Sequence, residues 1–518
     1  MFKKLKNILH EKIKTDEDTL EHYSSDGSIF KIKPQGVVLP KDWEDIFNLI
    51  KFVNNENKAG NRLSITARGK GTDLTGAPLS DSLIVRFPGY LDKILEIGDN
   101  FARVEPGVIY GDLQKELEKQ GKTIPVNPAS GAFCTVGGMV SNNSGGTKSV
   151  KYGETRDYVL SLKVILADGS EINTKNNEQR AINNRLKELI ENNKELIEKS
   201  RPNTTKNASG YYLWNYKGQT SVNSSLMQLF IGSEGTLGII KEITFKIVKK
   251  PTHDGILLGY FNDLARAGQA VIRLLKHNPS SLEMVDKSVV DIIRELEPEL
   301  VVDLPKPAPR IILYAEFDGF SKDEVKNQID KAKTVMKDLA YEHHSAIEIK
   351  EKERLWRVRL KSASVIEHTK SSKKAIPFVE DGAVAQELFP EYIENINKIF
   401  GIYNIQFAFW GHAGNANLHV QPLIDLGDRA QKELVPNIAR DFYEVLGKMK
   451  GTASGEHGDG ISRAPFLELT YNKEMVELFK KVKQIFDPLN IFNPICKTNV
   501  TIEQYKKFMR NDYAVYSK

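Results

Sequence analysis

Cysteine is almost absent from this 518-residue chain: Cys134 and Cys496 are its only two. Two thiols so far apart cannot supply the four ligands of an iron–sulfur cluster, and they suggest no disulfide framework. Redox chemistry, if present, must come from a bound organic cofactor or from a metal held without thiolate. Long apolar runs are also missing. None approaches the roughly 20 residues that a membrane-crossing helix needs. The stretch from Met1 to Asp16 alternates lysines with Phe2, Leu5, Ile8 and Leu9 and lacks the continuous apolar core of a secretory signal. The expectation is a cytoplasmic protein. A net charge of +5 over this length provides no basic stripe for nucleic acid. It is compatible with weak attraction to an anionic substrate, or with peripheral association at the inner face of a membrane. Neither GxGxxG nor GxxxxGK[ST] occurs, so the Rossmann and P-loop ways of holding a nucleotide have no support.

What is present is an ordinary globular balance, 40% hydrophobic and 27% charged, on a chain long enough for two or three domains. From Asp42, a capping residue, the residues Trp43, Ile46, Phe47, Ile50 and Val53 recur at helical spacing. Short β-rich runs follow at 63–67, 82–87 and 101–105, then a helix over 112–120 closed by Gly121. Strand-like segments at 160–166 and 237–248 complete a mixed α/β region ending near residue 250. The polar stretch 173–223 reads as a surface insertion. Pro251 opens a second pattern, with strands at 255–260, 310–317 and 405–409 between long amphipathic helices and an antiparallel look, ending near 465. The tail carries one more helix, over 474–486.

Four glycine-dense stretches fall in the first 240 residues: Arg68-Gly69-Lys70-Gly71-Thr72-Asp73-Leu74-Thr75-Gly76, Val136-Gly137-Gly138-Met139, Asn142-Asn143-Ser144-Gly145-Gly146-Thr147, and Gly232-Ser233-Glu234-Gly235-Thr236-Leu237-Gly238. Glycine lets backbone amides approach an anion with no Cβ in the way, and several such loops can surround a diphosphate-bearing cofactor. Taken singly, each is equally a tight turn. Their order, with Pro128 and Ser130, Thr135, and Lys151-Tyr152-Gly153 between them, resembles the vanillyl-alcohol-oxidase type of FAD-binding domain, and within it the D-lactate, glycolate and D-2-hydroxyglutarate dehydrogenases. The resemblance runs from roughly residue 30 to 500. It implies FAD, with the pyrophosphate held by backbone amides of Gly69 to Asp73 and Val136 to Gly138, and with Arg68, Asn142, Ser144, Gly145, Tyr152, Gly153, Glu234, Gly238, Ile239 and Asn493 as further cofactor-binding residues. The first loop has no histidine, the residue through which some relatives attach flavin, so the FAD is expected to be noncovalent. Where relatives read Asn-Pro-Gly-Lys, this chain has Asn493-Pro494-Ile495-Cys496-Lys497, a departure that weakens any role for Lys497.

Three of the ten histidines sit in two glycine-flanked segments, Gly411-His412-Ala413-Gly414-Asn415-Ala416-Asn417-Leu418-His419-Val420-Gln421 and Ser454-Gly455-Glu456-His457-Gly458-Asp459-Gly460. The odd separation of His412 and His419 would put them on opposite faces of a continuous strand. The glycines point instead to a loop that lets the rings converge, with His419 and Gln421 sharing a face of the strand that follows. Two imidazoles and a carboxylate make a three-ligand metal site with open positions, though spacing alone equally allows turn histidines that bond only backbone. The segments resemble the family's Gly-His-x-Gly-Asp-Gly-Asn-Leu-His and Ser-Gly-Glu-His-Gly, with Asn415 and Ala416 in place of Asp and Gly. The resemblance implies a divalent metal on His412, His419 and Glu456 (zinc or manganese, with iron a third candidate) and His457 as catalytic base. Leu355-Trp356-Arg357-Val358-Arg359 resembles the family's Leu-Trp-x-x-Arg element, which implies that Arg359 grips the substrate carboxylate. Lys373 or Lys374, of which Lys374 is the chosen candidate, would add a second cation, and Gln421 a further substrate contact.

The fold class implied is α+β: an N-terminal segment (1–28), a two-subdomain FAD-binding domain (29–250) with its insertion (173–223), an antiparallel-sheet substrate or cap domain (251–465), and a C-terminal helical segment (466–518). The implied activity is FAD-dependent oxidation of a D-2-hydroxy acid, D-lactate or D-2-hydroxyglutarate foremost. Electrons would pass to a quinone, a cytochrome, an electron-transfer flavoprotein or an iron–sulfur partner subunit, and a homodimer is compatible with this reading. The alternatives are a glycolate oxidase-type subunit, a metal-dependent hydrolase using the histidine cluster, and a non-catalytic electron-transfer or scaffold subunit.

Overall fold

The structure, a computed structural model, describes residues 2–176, 180–214, 222–367 and 372–513. The expected insertion therefore falls in part, at 177–179 and 215–221, outside the described residues. The first sheet joins β1 (Ile13–Lys14), β2 (Gly36–Val38), β3 (Ile65–Arg68) and β4 (Leu83–Arg86) in the order β1-β2-β4-β3. Its β2–β4 and β3–β4 pairs are parallel. Parallel strands need both faces covered, and β4 is buried at Leu83, Ile84 and Val85. One cover is the helix Trp43–Lys58, which begins where Asp42 accepts the Asp45 amide at 3.0 Å and buries Ile46, Leu49, Ile50 and Val53. Leu5, Leu9 and Ile13 join the same cluster, as do Ile491 and Phe492. The N-terminal segment and part of the C-terminal segment are thus built into this subdomain rather than appended to it.

The second sheet takes β5 (Ile94–Ile97), β6 (Phe101–Val104), β8 (Val159–Ile165), β9 (Glu171–Asn173) and β10 (Ile239–Lys246) in the order β5-β6-β10-β8-β9, all antiparallel. A short ribbon of β7 (Lys122–Thr123) and β11 (Val248–Lys249) stands beside it. The expected strand pair over 237–248 is a single long strand followed by this ribbon strand.

The cap is one antiparallel sheet of eight strands: β12 (His253–Phe261), β13 (Ser281–Asp286), β14 (Ile311–Gly319), β15 (Glu342–Ala346), β16 (Lys374–Ala375), β17 (Gly382–Ala383), β18 (Phe407–His412) and β19 (Asn417–Ile424). The order is β15-β12-β14-β13-β18-β19-β16, with β17 also on β19. Every residue of β14 is buried. One cluster holds Leu313, Ala315 and Phe317 with the helices Leu264–Leu275 and Lys322–Leu339. The other holds Ile312 and Tyr314 with the helices Lys287–Leu296 and Ile349–Glu367.

The insertion is not a surface appendage. Leu186, Ile190 and Ile197 join the main core, and the chain beyond them carries Lys206, Ser209 and Tyr211 into the buried interior.

Candidate active site

The hairpin β18–β19 sets the site. Trp410 pairs with His419 and His412 with Asn417, so His412, Asn417, His419 and Gln421 share one face. In an antiparallel hairpin an odd separation across the turn is what places two residues on the same face. The rings converge as expected, by strand pairing rather than by an irregular loop. Ala416 makes the reversal at φ +49°, in the left-handed region that favours glycine. His412 Nε2 and His419 Nε2 stand 3.3 Å apart, and Glu456 Oε1 lies 2.9 Å from the first and 3.5 Å from the second. The other nitrogen of each ring is held by a carboxylate: His412 Nδ1 by Glu283 Oε1 at 2.8 Å, and His419 Nδ1 by Glu380 Oε2 at 3.1 Å. With Nδ1 donating on both rings, two imidazole lone pairs and a carboxylate oxygen converge with no donor among them, an arrangement that a divalent cation satisfies. The same demand for positive charge shows in His412. Burial opposes its charging, but Glu283 and Glu456 outweigh burial and raise its titration. His419 is lowered, by burial first and by the neighbouring imidazoles.

His457 stacks on His419 with ring centroids 5.2 Å apart, and a quarter of its side chain stays exposed. Its Nδ1 donates to Glu380 Oε1 at 2.6 Å and its amide to Asp381 Oδ2 at 2.8 Å. Nε2, 3.8 Å from Glu456 Oε1, is the nitrogen left for chemistry. Burial would lower His457, yet Glu380 and Asp381 prevail and raise it to about 10, above the pH 5–8 window of an ordinary histidine. Glu380 is buried and is also gripped by Arg463 Nη2 at 2.6 Å. Burial pushes Glu380 up, but the His457 charge, the two histidine hydrogen bonds and Arg463 override it and hold the carboxyl well below its usual range.

Arg359 reaches the cluster but is already committed. Its Nε and Nη2 fork onto Glu283 Oε2 at 3.0 and 2.6 Å. The Nε–Nη2 edge is occupied, leaving Nη1 for a carboxylate and giving Arg359 a second task, the support of His412 through Glu283. Lys374 pairs with Ile424, which puts it on the face of β19 opposite to His419 and Gln421 and removes it from the substrate set. Gln421 shares the His419 face, as expected. It is buried, and its Oε1 has no hydrogen-bond partner among the described residues.

The cofactor residues divide into a loop open to a ligand and a frame behind it. Among the described residues, the amides of Gly69, Lys70, Gly71, Thr72 and Asp73 donate to no protein acceptor, and Gly71 turns at φ +71°. Such a run of outward amides suits a pyrophosphate. By contrast, Val136 N donates to Val108 O, Gly137 N to Pro106 O, and Gly138 N to Thr135 Oγ1, so this second set is spent within the protein. Arg68 holds the carbonyls of Tyr23 and Ser25, and the Tyr152 hydroxyl is on Asp318 of the cap. Pro128 and Ser130 supply carbonyls to the turn through Gly131 to Cys134, and Ser144 O accepts from Thr155. Gly153 ends a helical turn at φ +78°. Gly238 is required by close packing on Val164, and Ile239 is buried in β10. Asn142 Nδ2 bridges Asp73 Oδ1 at 3.0 Å and the His457 carbonyl at 2.9 Å, tying the open loop to the histidine loop. Asn493 braces Thr66, Ala77 O and Glu234 O.

Sequence reasoning missed five buried participants: Lys206, Glu283, Glu380, Asp381 and Arg463. Lys497, which it discounted, is fully buried between Glu234 Oε1 at 3.0 Å and Asp459 Oδ2 at 2.9 Å. The one available signal was a glutamate beside apolar residues, at Glu283 between Leu282 and Met284 and at Glu380 after Ile376-Pro377-Phe378-Val379.

Two subdomains with an outward amide loop, closed by a large antiparallel cap, define a flavoprotein of the vanillyl-alcohol-oxidase type. Solved structures agree on the fold: 4-ethylphenol oxidase from Gulosibacter chungangensis matches at TM-score 0.70 with 16% identity, covering 97% of each chain. p-Cresol methylhydroxylase matches at 0.69 with 14% identity, covering 97% of this chain and 96% of that one. Residues 34–175 match the FAD binding domain family and residues 250–495 the C-terminal domain of FAD linked oxidases. The glycolate oxidase subunit GlcD of Bacillus subtilis is 30% identical over 90% of this chain and 89% of its own length. The D-lactate dehydrogenase of Archaeoglobus fulgidus is 27% identical, covering 88% and 90%. The D-2-hydroxyglutarate dehydrogenase of Haemophilus influenzae is 28% identical over 91% of this chain, which spans about half (48%) of that relative. The chain belongs to the FAD-linked oxidase family that includes these oxidoreductases. That membership displaces the hydrolase alternative.

Proposed function

We propose that the protein oxidises a small D-2-hydroxy acid of the lactate or glycolate class to its 2-oxo acid. The observation that carries this reading is the convergence of His412 Nε2, His419 Nε2 and Glu456 Oε1 beside the half-open Nε2 of His457. The relatives matched over most of their own length, a glycolate oxidase subunit and a D-lactate dehydrogenase, favour the small substrates.

FAD bound by the amides of Gly69 to Asp73 supplies the two-electron acceptor for the hydrogen on C2. A divalent ion held by His412, His419 and Glu456 would supply the charge that acidifies the substrate hydroxyl. Nη1 of Arg359 and the amide of Gln421 bind and orient the substrate carboxylate. His457 Nε2 accepts the hydroxyl proton, and Glu380, bonded to Nδ1, holds the imidazole in the tautomer that leaves Nε2 available. Asn142 fixes the histidine loop against the flavin loop, so the accepting nitrogen and the cofactor stay in register. Two cysteines cannot hold an iron–sulfur cluster, so onward electrons would go to a separate acceptor (quinone, cytochrome, electron-transfer flavoprotein or iron–sulfur subunit). Chelator-stripped protein that keeps its FAD should fail to bleach on anaerobic mixing with substrate and recover on adding Zn²⁺ or Mn²⁺. Full bleaching in metal-free protein removes the metal from this scheme.

A further inference from the structure

Lys206 comes from the segment that the sequence presents as a solvated insertion, yet its side chain is completely buried at the histidine cluster. Nζ donates to Glu456 Oε2 at 2.6 Å and to Asn417 Oδ1 at 3.0 Å. The Asn417 amide cannot be turned round, because Nδ2 donates to Asp381 Oδ1 at 3.0 Å and to its carbonyl at 3.1 Å, so Oδ1 must face the ammonium. The flavin-side loop closes the remaining side: a Cβ on Gly145 would stand 2.6 Å from Glu456 Oε2 and 3.0 Å from Lys206 Cε. Burying a charge so completely is costly unless it is paired, and here one specific carboxylate oxygen is the pair.

We infer that Lys206 is a positioning residue that ties up Oε2 of Glu456 and so makes Glu456 a one-oxygen ligand at the His412–His419 site. This rests on the metal reading above and deepens it by stating which ions the site takes. A carboxylate restricted to one oxygen, beside two imidazoles, suits Zn²⁺ or Mn²⁺. Ca²⁺, which seeks six to eight oxygens and often a bidentate carboxylate, is disfavoured. Lys206 also adds positive charge close to the ion, so it lowers overall metal affinity while sharpening the choice.

The test titrates FAD-replete, chelator-stripped protein with Mn²⁺ alone and with Ca²⁺ alone, in competition with a chromophoric chelator. Wild type should bind Mn²⁺ and discriminate against Ca²⁺. Lys206→Met frees the second oxygen and should narrow the Mn²⁺/Ca²⁺ ratio by about tenfold, or about 1.4 kcal/mol. Lys206→Gln, which keeps an N–H for Oε2, should fall between and carries the test if Lys206→Met does not fold. An unchanged ratio in the variants overturns the inference and leaves Lys206 a simple counter-ion. Wild type that binds neither ion overturns both this inference and the metal reading, so the two failures are distinguishable.

Discussion

Replacing Lys497 by methionine tests the frame on which both halves of the site rest. The ammonium is wholly buried between two carboxylates, Glu234 at 3.0 Å and Asp459 at 2.9 Å, which are wholly buried themselves. At this separation each attraction is on the order of 5 kcal/mol at an effective dielectric of 20, before the cost of burying the charges is deducted. Methionine conserves much of the volume but leaves two like charges facing each other. Both retain donors: Asp459 N, Gly460 N and Cys496 Sγ on Glu234, and Ser209 Oγ and Gly210 N on Asp459. The loss should therefore lie at the lower end of the range for breaking a buried pair, about 3 kcal/mol. Over the whole 518-residue chain that corresponds to a midpoint lowered by about 3 °C. The sign with pH follows from Glu234. Burial already holds its carboxyl above the ordinary value, in spite of Lys497, and removing the cation raises it further. A folded-state pKa above the unfolded one costs stability at high pH, and that cost fades as pH falls through the folded value. The gap between variant and wild type should be widest at high pH and narrow as pH falls. Thermal melting followed by the fluorescence of released flavin reads both quantities. A variant that melts with wild type at every pH, or a gap that widens on acidification, refutes the reasoning.

His457→Ala should bind substrate nearly as well as wild type but reduce flavin about 10²–10⁴-fold more slowly, the usual size of a general-base contribution; stopped-flow absorbance separates the two. Arg359→Ala should raise KM strongly and also weaken metal binding, because Glu283 loses the fork that steadies it under His412, whereas Arg359→Lys restores only part of either. Acid precipitation should release FAD intact, since the loop 68–76 contains no histidine to carry a covalent bond; flavin left on the washed pellet contradicts this.

Elements whose burial is local were legible in the sequence. Asp42 announces the helix Trp43–Lys58 because capping and periodicity act within a few residues, and the strands now seen as β12, β14 and β18 were each placed to within a few residues. The glycine and histidine motifs located the flavin loop and the cluster for the same reason. What stayed hidden depends on distant chain. Nothing near Lys206 distinguishes a buried ammonium from a solvated one; its partner Glu456 is 250 residues away. Lys374 was a candidate cation by its place in the sequence alone, and strand register puts it on the face of the sheet opposite His419. Lys497 was discounted for the insertion of Ile495-Cys496 before it, yet the chain absorbs the extra residue and Lys497 turns back at φ +63° to meet Glu234 and Asp459. Arg359 was placed correctly at the cluster, while its committed edge could be seen only once Glu283 stood opposite.

The most direct test of the central claim is anaerobic mixing of the metal-replete, FAD-loaded protein with D- and L-lactate, glycolate and D-2-hydroxyglutarate, following the flavin absorbance near its long-wavelength maximum. The account predicts rapid, saturable bleaching with D-lactate or glycolate and formation of the matching 2-oxo acid in one equivalent per flavin. Bleaching by none of these acids, or with L-lactate alone, contradicts it.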